Sequence, residues 1–312
     1  MSRFLITGGA GFIGSNLAAR LHSAMHEVVI LDDLSSGYEH EILSEVEFIK
    51  GSITNDDDLK KCFETLPDYV IHLAALFANQ NSVDHPELDL SVNGMGTIKV
   101  FDFCRKYNVK KVLYSSSSCV YGNSEVMHES MKTVATETPY SITKFLGEGY
   151  AKFWSEYHGL DIVIVRLFNV YGPGDYPGKY RSVIPNFVSA ALQGEPLLIT
   201  GTGFETRDFC YIDDVTSAIC DLISFDTKPG EVFNIATGIA TTIVDLANII
   251  NMHTHNQAGI IFKQERSWDN VKSRQGDISK IKSTIDYIPK IEVTQGLSKT
   301  CAWISKQLNS NR

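Results

Sequence analysis

The chain has 312 residues, enough for one large domain or two at about 150 residues each. Hydrophobic residues make up 43%, which supports a full core and excludes wholesale disorder, and 23 Gly against 9 Pro exclude collagen-like and low-complexity chains. With 28 basic and 37 acidic residues the net charge is −9, which argues against a protein that tracks a phosphate backbone and leaves room for a local basic pocket.

Residues 3–7 read as a short apolar strand, nearly continuous in hydrophobicity, as a parallel strand buried on both faces requires. They run into Gly8-Gly9-Ala10-Gly11-Phe12-Ile13-Gly14 and then a helical pattern over 13–24. Glycines spaced this way between a strand and a helix suit a dinucleotide. Gly8 permits the tight turn, Gly11 lets backbone approach a pyrophosphate at the helix N-terminus, and Gly14 lets the helix pack close on the strand. Phe12 and Ile13 belong to the same candidate cofactor loop. The second strand, 27–31, ends at Asp32, about 20 residues beyond the glycine turn. A carboxylate there accepts hydrogen bonds from ribose hydroxyls and repels a 2′-phosphate, so NAD is favoured over NADP. Asp33 is better suited to cap the next segment. The strand over 46–50 leads to Ser52 and Ile53, expected to flank an adenine, and to a helix over 56–65. The strand over 69–73 ends in Leu73-Ala74-Ala75, small enough to let a cofactor pass.

A helical pattern covers 92–107, and the strand over 111–115 runs into Ser115-Ser116-Ser117-Ser118-Cys119-Val120-Tyr121-Gly122. A second helix, 140–158, opens with Tyr140-Ser141-Ile142-Thr143-Lys144. A Tyr and a Lys four residues apart share one helix face. An ammonium and a positively charged nicotinamide both stabilise phenolate, so a phenol with a reference pKa of about 10 becomes a candidate base. Tyr140 is that candidate. Lys144 is also placed to hold the nicotinamide ribose, and Ser117 to hydrogen-bond the reacting hydroxyl. A strand over 161–168 completes the first half. Strand–helix alternation implies an α/β fold with a Rossmann-type doubly wound parallel sheet.

After residue 168 the texture becomes loop-rich over 171–178. A helix is expected over 183–192 and a strand over 197–200, followed by a Gly-Thr-Gly turn. Apolar segments follow over 215–223, 231–236 and 243–250, with a helix over 294–307. The division expected is a cofactor domain over 1–170 and a smaller mixed α/β substrate lobe over 171–312, with segments near 205–240 returning to the first sheet. The six cysteines, at 62, 104, 119, 210, 220 and 301, form no CxxC pair and no zinc spacing, so reduced thiols and no metal are expected. His253 and His255 read as solvated loop residues. No apolar run reaches the roughly 18 residues of a membrane span, and a soluble cytoplasmic protein is expected.

These residues together resemble the extended short-chain dehydrogenase/reductase family of nucleotide-sugar epimerases and dehydratases, along essentially the whole chain. The markers are the glycine motif, His72-Leu73-Ala74-Ala75, Asn93, the serine cluster, Tyr140 with Lys144, and Arg166-Leu167-Phe168-Asn169-Val170-Tyr171-Gly172. Arg207-Asp208-Phe209-Cys210-Tyr211 and Phe233-Asn234-Ile235 follow. The resemblance implies tightly held NAD, with Asn93 among its neighbours, and a nucleoside-diphosphate sugar, UDP by default. It implies that Asn169 contacts the sugar diphosphate, that Val183 borders the nucleobase, and that Arg207 meets the diphosphate or ribose. A second arginine is implied there, with Arg266 the best match and Arg274 its competitor. Phe77 stands where some 4-epimerases carry Lys, and Ser52 replaces a common Asp near the adenine; Phe77-Ala78-Asn79-Gln80-Asn81-Ser82 are expected to line the sugar pocket, where their amides would bond sugar hydroxyls. Lys272-Ser273-Arg274 stand where the family sets sugar selectivity, which would suit a uronate carboxylate, a diphosphate or open surface.

Family dehydratases carry Asp-Glu after their Ser-Thr, and decarboxylases keep the Glu. Ser118 and Cys119 occupy those positions here, so the acid and base for the extra chemistry are missing. The resemblance then implies C4 epimerisation of a UDP-hexose, UDP-N-acetylhexosamine or UDP-uronate. The alternatives are a 4,6-dehydratase or decarboxylase, a cofactor-exchanging reductase, and a non-catalytic NAD sensor. It also implies a homodimer through 92–107 and 140–158, whose second segment carries Phe145, Tyr150, Phe153, Trp154 and Tyr157, with no nucleic-acid or membrane partner.

Overall fold

A computed structural model describes residues 1–266 and 271–310. The first half runs β1 (Arg3–Thr7), α1 (Phe12–Ser23), β2 (Glu27–Asp32), β3 (Glu47–Lys50), α2 (Asp56–Phe63), β4 (Tyr69–His72), α3 (Asn79–Asp84) and α4 (Pro86–Asp89). A π-helical turn, Leu90–Gly96, then leads into α5 (Thr97–Lys106), β5 (Lys111–Ser117), β6 (Val126–Met127), α6 (Pro139–His158) and β7 (Ile162–Leu167). The second half runs β8 (Asn169–Tyr171), α7 (Val183–Leu192), β9 (Leu197–Thr200), β10 (Thr206–Tyr211), α8 (Ile212–Ser224), β11 (Val232–Ile235), β12 (Ala240–Thr242), α9 (Ile243–Thr254), β13 (Ile260–Lys263), β14 (Gln275–Gly276), α10 (Ser279–Ile285) and α11 (Val293–Ser310).

Seven parallel strands form the main sheet in the order β11-β7-β5-β4-β1-β2-β3. Every residue of β5 and β7 is buried, as the continuous apolar runs require of strands covered on both faces. One face packs Ile6, Ile30 and Val165 against Leu17 of α1 and Val215 and Ile219 of α8. The other packs Leu5, Val70 and Ile164 against Phe63, Phe101 and Ala151 of α2, α5 and α6. The strand order reverses between β1 and β4, and their carboxyl ends open the crevice where such sheets take ligands.

Helix starts are set locally. The Asn55 side chain caps the N–H groups of Asp57 and Asp58 at α2, and three aspartates in its first turn complement the helix dipole. Thr138 and Ser141 form a reciprocal cap at α6, with Pro139 as its first residue and Gly159 closing it at φ +67°. That cap makes Tyr140 the second residue of α6, aimed at the sheet from a fixed start.

A separate core, with Val188, Phe209, Leu246 and Leu297, joins α7, β10, α9 and α11. The strand β10 was not expected. Arg207 and Asp208 interrupt its apolar run, and it is held by pairing parallel to β8 and antiparallel to β12. Asp208 is fully buried because four donors meet its carboxylate: Thr237 N and Oγ1, Gly238 N and Gly276 N. The reading of His253 as a solvated loop residue is corrected. The helix α9 continues past the apolar stretch to Thr254, and His253 lies half-buried in its last turn; His255 is its left-handed C-cap. The pattern over 92–107 begins as a π-helical turn rather than an α-helix. No helix among the described residues is long and apolar enough to cross a membrane.

Candidate active site

A cleft of about 660 Å³ opens at the carboxyl ends of the strands. Every candidate site residue lines it except Asn93.

Its cofactor end is built from backbone. Gly8 holds φ +73°, and a Cβ there would stand 2.6 Å from Ala74 N. A Cβ on Gly14 would stand 2.3 Å from Gly8 O. The N-terminus of α1 therefore comes close to β1 and opens on the cleft with no side chain in the way, which fits a dinucleotide pyrophosphate. A Gly14→Ala variant is expected to force α1 off β1. It should purify without bound dinucleotide and unfold at lower temperature, on the scale of about 1–3 kcal/mol for overpacking, as read by absorbance ratio and thermal melting.

Asp32 lies at the end of β2, nearly buried, and accepts from Ala10 N at 3.0 Å and Leu34 N at 2.9 Å. Burial pushes its carboxyl up and these backbone bonds pull it down. It lines the cleft while already fixing the glycine loop. Asp33 caps no helix; its carboxylate accepts from Ser35 N in a local turn. Ser52 and Ile53 line the same end.

Asn93 does not line the cleft. It is buried behind it, where its amide accepts from Leu76 N at 2.7 Å and donates to Leu76 O and Asp89 Oδ1. It fixes the loop after β4, which carries Phe77.

At the chemical end, Ser117 closes β5, and Tyr140 and Lys144 approach from α6. The Ser117 side chain stands near enough to the Tyr140 phenol to pull it down and accepts from Cys119 N at 3.2 Å. Lys144 Nζ donates to Ser115 O at 2.8 Å and lies 5.7 Å from the Tyr140 ring centroid. The expected lowering of the phenol by this ammonium is not what dominates. Burial pushes Tyr140 well up, Cys119 and Asp89 push the same way, and Ser117 and the Arg274 charge pull it down. Burial also pushes the Lys144 ammonium down to about 8, against the pull of Asp89 and Cys119. The ammonium sits beneath the ring rather than at its oxygen. His72, buried between Thr7 Oγ1 and Thr97 Oγ1, is pushed down to about 3 and stays neutral, a strut rather than a base.

The opposite wall belongs to the second half. The Asn169 Oδ1 is buried without a hydrogen-bond partner, an acceptor left for a ligand donor. Val183 opens α7 at the rim. Arg207 projects from β10, its Nη1 donating to Thr206 O at 2.8 Å. Arg266 is exposed at the rim, and residues 267–270 of the same stretch lie outside the described residues. Arg274 is buried, with Nη1 3.1 Å from Cys119 Sγ and Nη2 3.6 Å from Glu137. The two competing arginines thus serve different places, Arg266 at the mouth and Arg274 beside the serine cluster.

One residue escaped the sequence reading. Asp175 is buried in the cleft wall, accepts from Ser182 Oγ at 2.6 Å, and is pushed up to about 6 by burial. It belongs to no local motif. Asn79, in the stretch expected at the sugar pocket, lines the cleft, receives Thr138 Oγ1 at 3.1 Å and faces Cys119. Ala78, beside Asn79, holds φ +83°, a conformation that costs an L-residue about 1–3 kcal/mol and that clusters at ligand sites. Among the described residues no group of His, Cys, Asp or Glu is arranged to hold a metal.

Known proteins share this fold. The pattern of the NAD dependent epimerase/dehydratase family matches residues 4–236. An epimerase structure from Methanothermobacter thermautotrophicus is 41% identical, with a TM-score of 0.95, over 99% of this chain and 94% of that one. A UDP-N-acetylglucosamine 4-epimerase from Methanobrevibacter ruminantium, solved with UDP-N-acetylmuramic acid, is 34% identical, with a TM-score of 0.92, over 98% and 99%. A UDP-N-acetyl-alpha-D-glucosaminuronate decarboxylase from Bacillus cytotoxicus is 33% identical over 96% of this chain and 97% of its own. The match spans the glycine cradle, the serine cluster and the Tyr140–Lys144 helix, and the chain belongs to the NAD dependent epimerase/dehydratase family.

Proposed function

We propose that this protein interconverts UDP-sugars that differ in configuration at C4. The observation that carries this reading is the meeting of Ser117, Tyr140 and Lys144 beside the glycine cradle, with a hydroxyl and a thiol at positions 118 and 119. A dehydratase or decarboxylase acid–base pair has no carboxylate at those two positions.

Gly8, Gly11 and Gly14 would hold the pyrophosphate of NAD, Asp32 its adenosine ribose, Ser52 and Ile53 its adenine, and Leu73 to Ala75 its passage. When bound, NAD supplies the two-electron acceptor that is reduced as C4 is oxidised and regenerated as C4 is rebuilt, and its positive ring adds charge beside the phenol. Tyr140 takes the proton of the C4 hydroxyl through an oxygen that Ser117 orients. Lys144 and Arg274 add positive charge near that phenol, opposing the burial that favours its neutral form. Arg207 and the side-chain N–H groups of Asn169 hold the diphosphate, and Val183 borders the base. The 4-keto sugar turns about the diphosphate and presents its other face, and Tyr140 returns the proton to the C4 oxygen. This requires firm diphosphate contacts and a loose sugar.

The boundary near residue 170, between a cofactor lobe and a nucleotide-sugar lobe, is part of the same reading. So are a homodimer and a cytoplasmic setting. Met95, Ile142, Phe145, Phe153 and Tyr157 are exposed on the π-helical turn and α6, which supports a covered face. All six cysteines are free, which suits a reducing compartment.

The test is incubation of pure protein with UDP-glucose, UDP-N-acetylglucosamine and UDP-glucuronate, followed by the anomeric NMR signals. A new anomeric signal from the C4 epimer is expected, and the same mixture from either epimer. A 4-keto-6-deoxy product, or release of CO₂, would overturn the reading.

A further inference from the structure

The first turn of a helix leaves its N–H groups without partners inside the helix, and the first turn of α6 carries Tyr140. Its donors can be followed one by one. Pro139 has no N–H. Ser141 N donates to Thr138 Oγ1 at 3.2 Å, and Ile142 N to Thr138 O at 3.1 Å. Tyr140 N is the donor that the Thr138 cap leaves over. It donates to Ser82 Oγ at 3.1 Å, on a residue 58 positions earlier in the chain.

Ser82 lies on α3 and is fully buried. Phe77, Asn79 and Gln80 line the cleft, whereas Ser82 turns its hydroxyl to α6. That hydroxyl donates to Asn79 O at 2.7 Å, and Asn79 Oδ1 accepts from Thr138 Oγ1 at 3.1 Å. The first turn of α6 is therefore tied at its cap and at Tyr140 itself, and both ties end on α3. Phe77 adds a third contact, edge-on to the Tyr140 ring with centroids 6.4 Å apart. The helix α3 depends on such ties. It is six residues of Asn-Gln-Asn-Ser-Val-Asp, too short and too polar to stand alone. No side chain caps it, and Ala78 before it holds φ +83°. At its far end Asp84 accepts from Tyr180 Oη at 2.9 Å and from Gln80 Nε2 at 2.8 Å. Strain of the kind stored at Ala78 persists where the surroundings over-determine it.

Building on the epimerase reading, we propose that Ser82 is a positioning residue for the Tyr140 base, its hydroxyl fixing the first turn of α6 to the α3 wall of the sugar pocket. Ser82 does not line the cleft, so it acts on the chemistry only through Tyr140. Without its hydroxyl, Tyr140 N–H is a buried donor with no acceptor, and the turn must shift to find one. A sugar ring lying against Asn79 and Gln80 bears on the same element that seats the phenol. UDP held on the opposite wall does not.

The test uses the NAD-loaded protein with its tyrosines labelled with carbon-13 at Cζ. The resonance missing from Tyr140→Phe belongs to Tyr140. In Ser82→Ala that resonance is expected to shift or broaden while most of the others stay in place. The kcat for C4 epimerisation should fall about 10–100-fold, the scale of a displacement near 1 Å at a reacting group. Calorimetric affinity for UDP should be unchanged, since Arg207, Asn169 and Val183 lie on the other wall. Ser82→Cys keeps an atom at the same place but makes it a weak acceptor. It should fall between the two proteins, and it guards against misfolding of Ser82→Ala. A Tyr140 resonance that stays put in both variants overturns the proposal, even if the melting temperature drops, because the bond would then be structural alone. A moved resonance with kcat unchanged overturns it as well. If the unaltered protein epimerises no UDP-sugar, the epimerase reading falls, and the Tyr140 resonance alone decides whether Ser82 seats that residue.

Discussion

Tyr140→Phe is expected to lower kcat for C4 epimerisation by about 10²–10⁴-fold, the usual contribution of a positioned acid–base group, with little change in nucleotide-sugar affinity. The substitution removes one oxygen and keeps the ring. The ring's packing, with Phe77 edge-on at 6.4 Å and Lys144 Nζ at 5.7 Å from its centroid, does not need the hydroxyl. What is lost is the oxygen that stands beside Ser117 and that, on the epimerase reading proposed above, exchanges the C4 proton. Because burial favours the neutral phenol, its ionisation depends on nearby positive charge, so removing the phenol leaves no neighbour able to replace it: Ser117 is not basic, and Lys144 is occupied with Ser115 O. Steady-state kinetics beside calorimetric binding check this. A kcat within threefold of the unaltered protein would place the base elsewhere.

The parts of this site that are legible in the chain are those written as local patterns. Glycines between a strand and a helix, a carboxylate at the end of the next strand, and Tyr and Lys one turn apart each need only a few consecutive residues. The parallel sheet follows from apolar runs alternating with helical ones. Contacts closed by the fold carry no such mark. Arg274 meets Cys119 across 155 positions, and no periodicity connects a loop arginine to a cysteine after β5. Asn93 is legible as a marker of the resemblance, but its amide contacts to Leu76, Asp89 and Thr143 are closed by the fold. The strand β10 is hidden because Asp208 reads as polar, although four donors make its burial tolerable.

Glu148→Ala is expected to destabilise the protein by about 3–5 kcal/mol, the cost of leaving a buried charge without its partner. Glu148 and Arg166 form a bidentate pair at 2.8 and 2.7 Å, both fully buried between α6 and β7. Ser116 Oγ donates to the same carboxylate at 2.6 Å, and the guanidinium lies 4.5 Å from the centroid of the Tyr121 ring. Removing the carboxylate strands the guanidinium and the serine hydroxyl together. Replacing the pair jointly, as Glu148→Met with Arg166→Leu, should cost less than Glu148→Ala, because no charge is then left behind. Chemical denaturation of the three proteins reads both claims, and a double variant less stable than Glu148→Ala would show that the pair stabilises by more than its own cancellation. The consequence reaches the chemistry. Tyr140, Lys144 and Glu148 recur every fourth residue on one face of α6, and Ser116 and Ser117 are neighbours on β5. The ion pair is thus the bolt that sets the base-bearing helix against the serine-bearing strand. In the folded fraction of Glu148→Ala, kcat should fall while KM for the nucleotide sugar changes little, since Arg207 and Asn169, the residues proposed to hold the diphosphate, lie on the opposite wall.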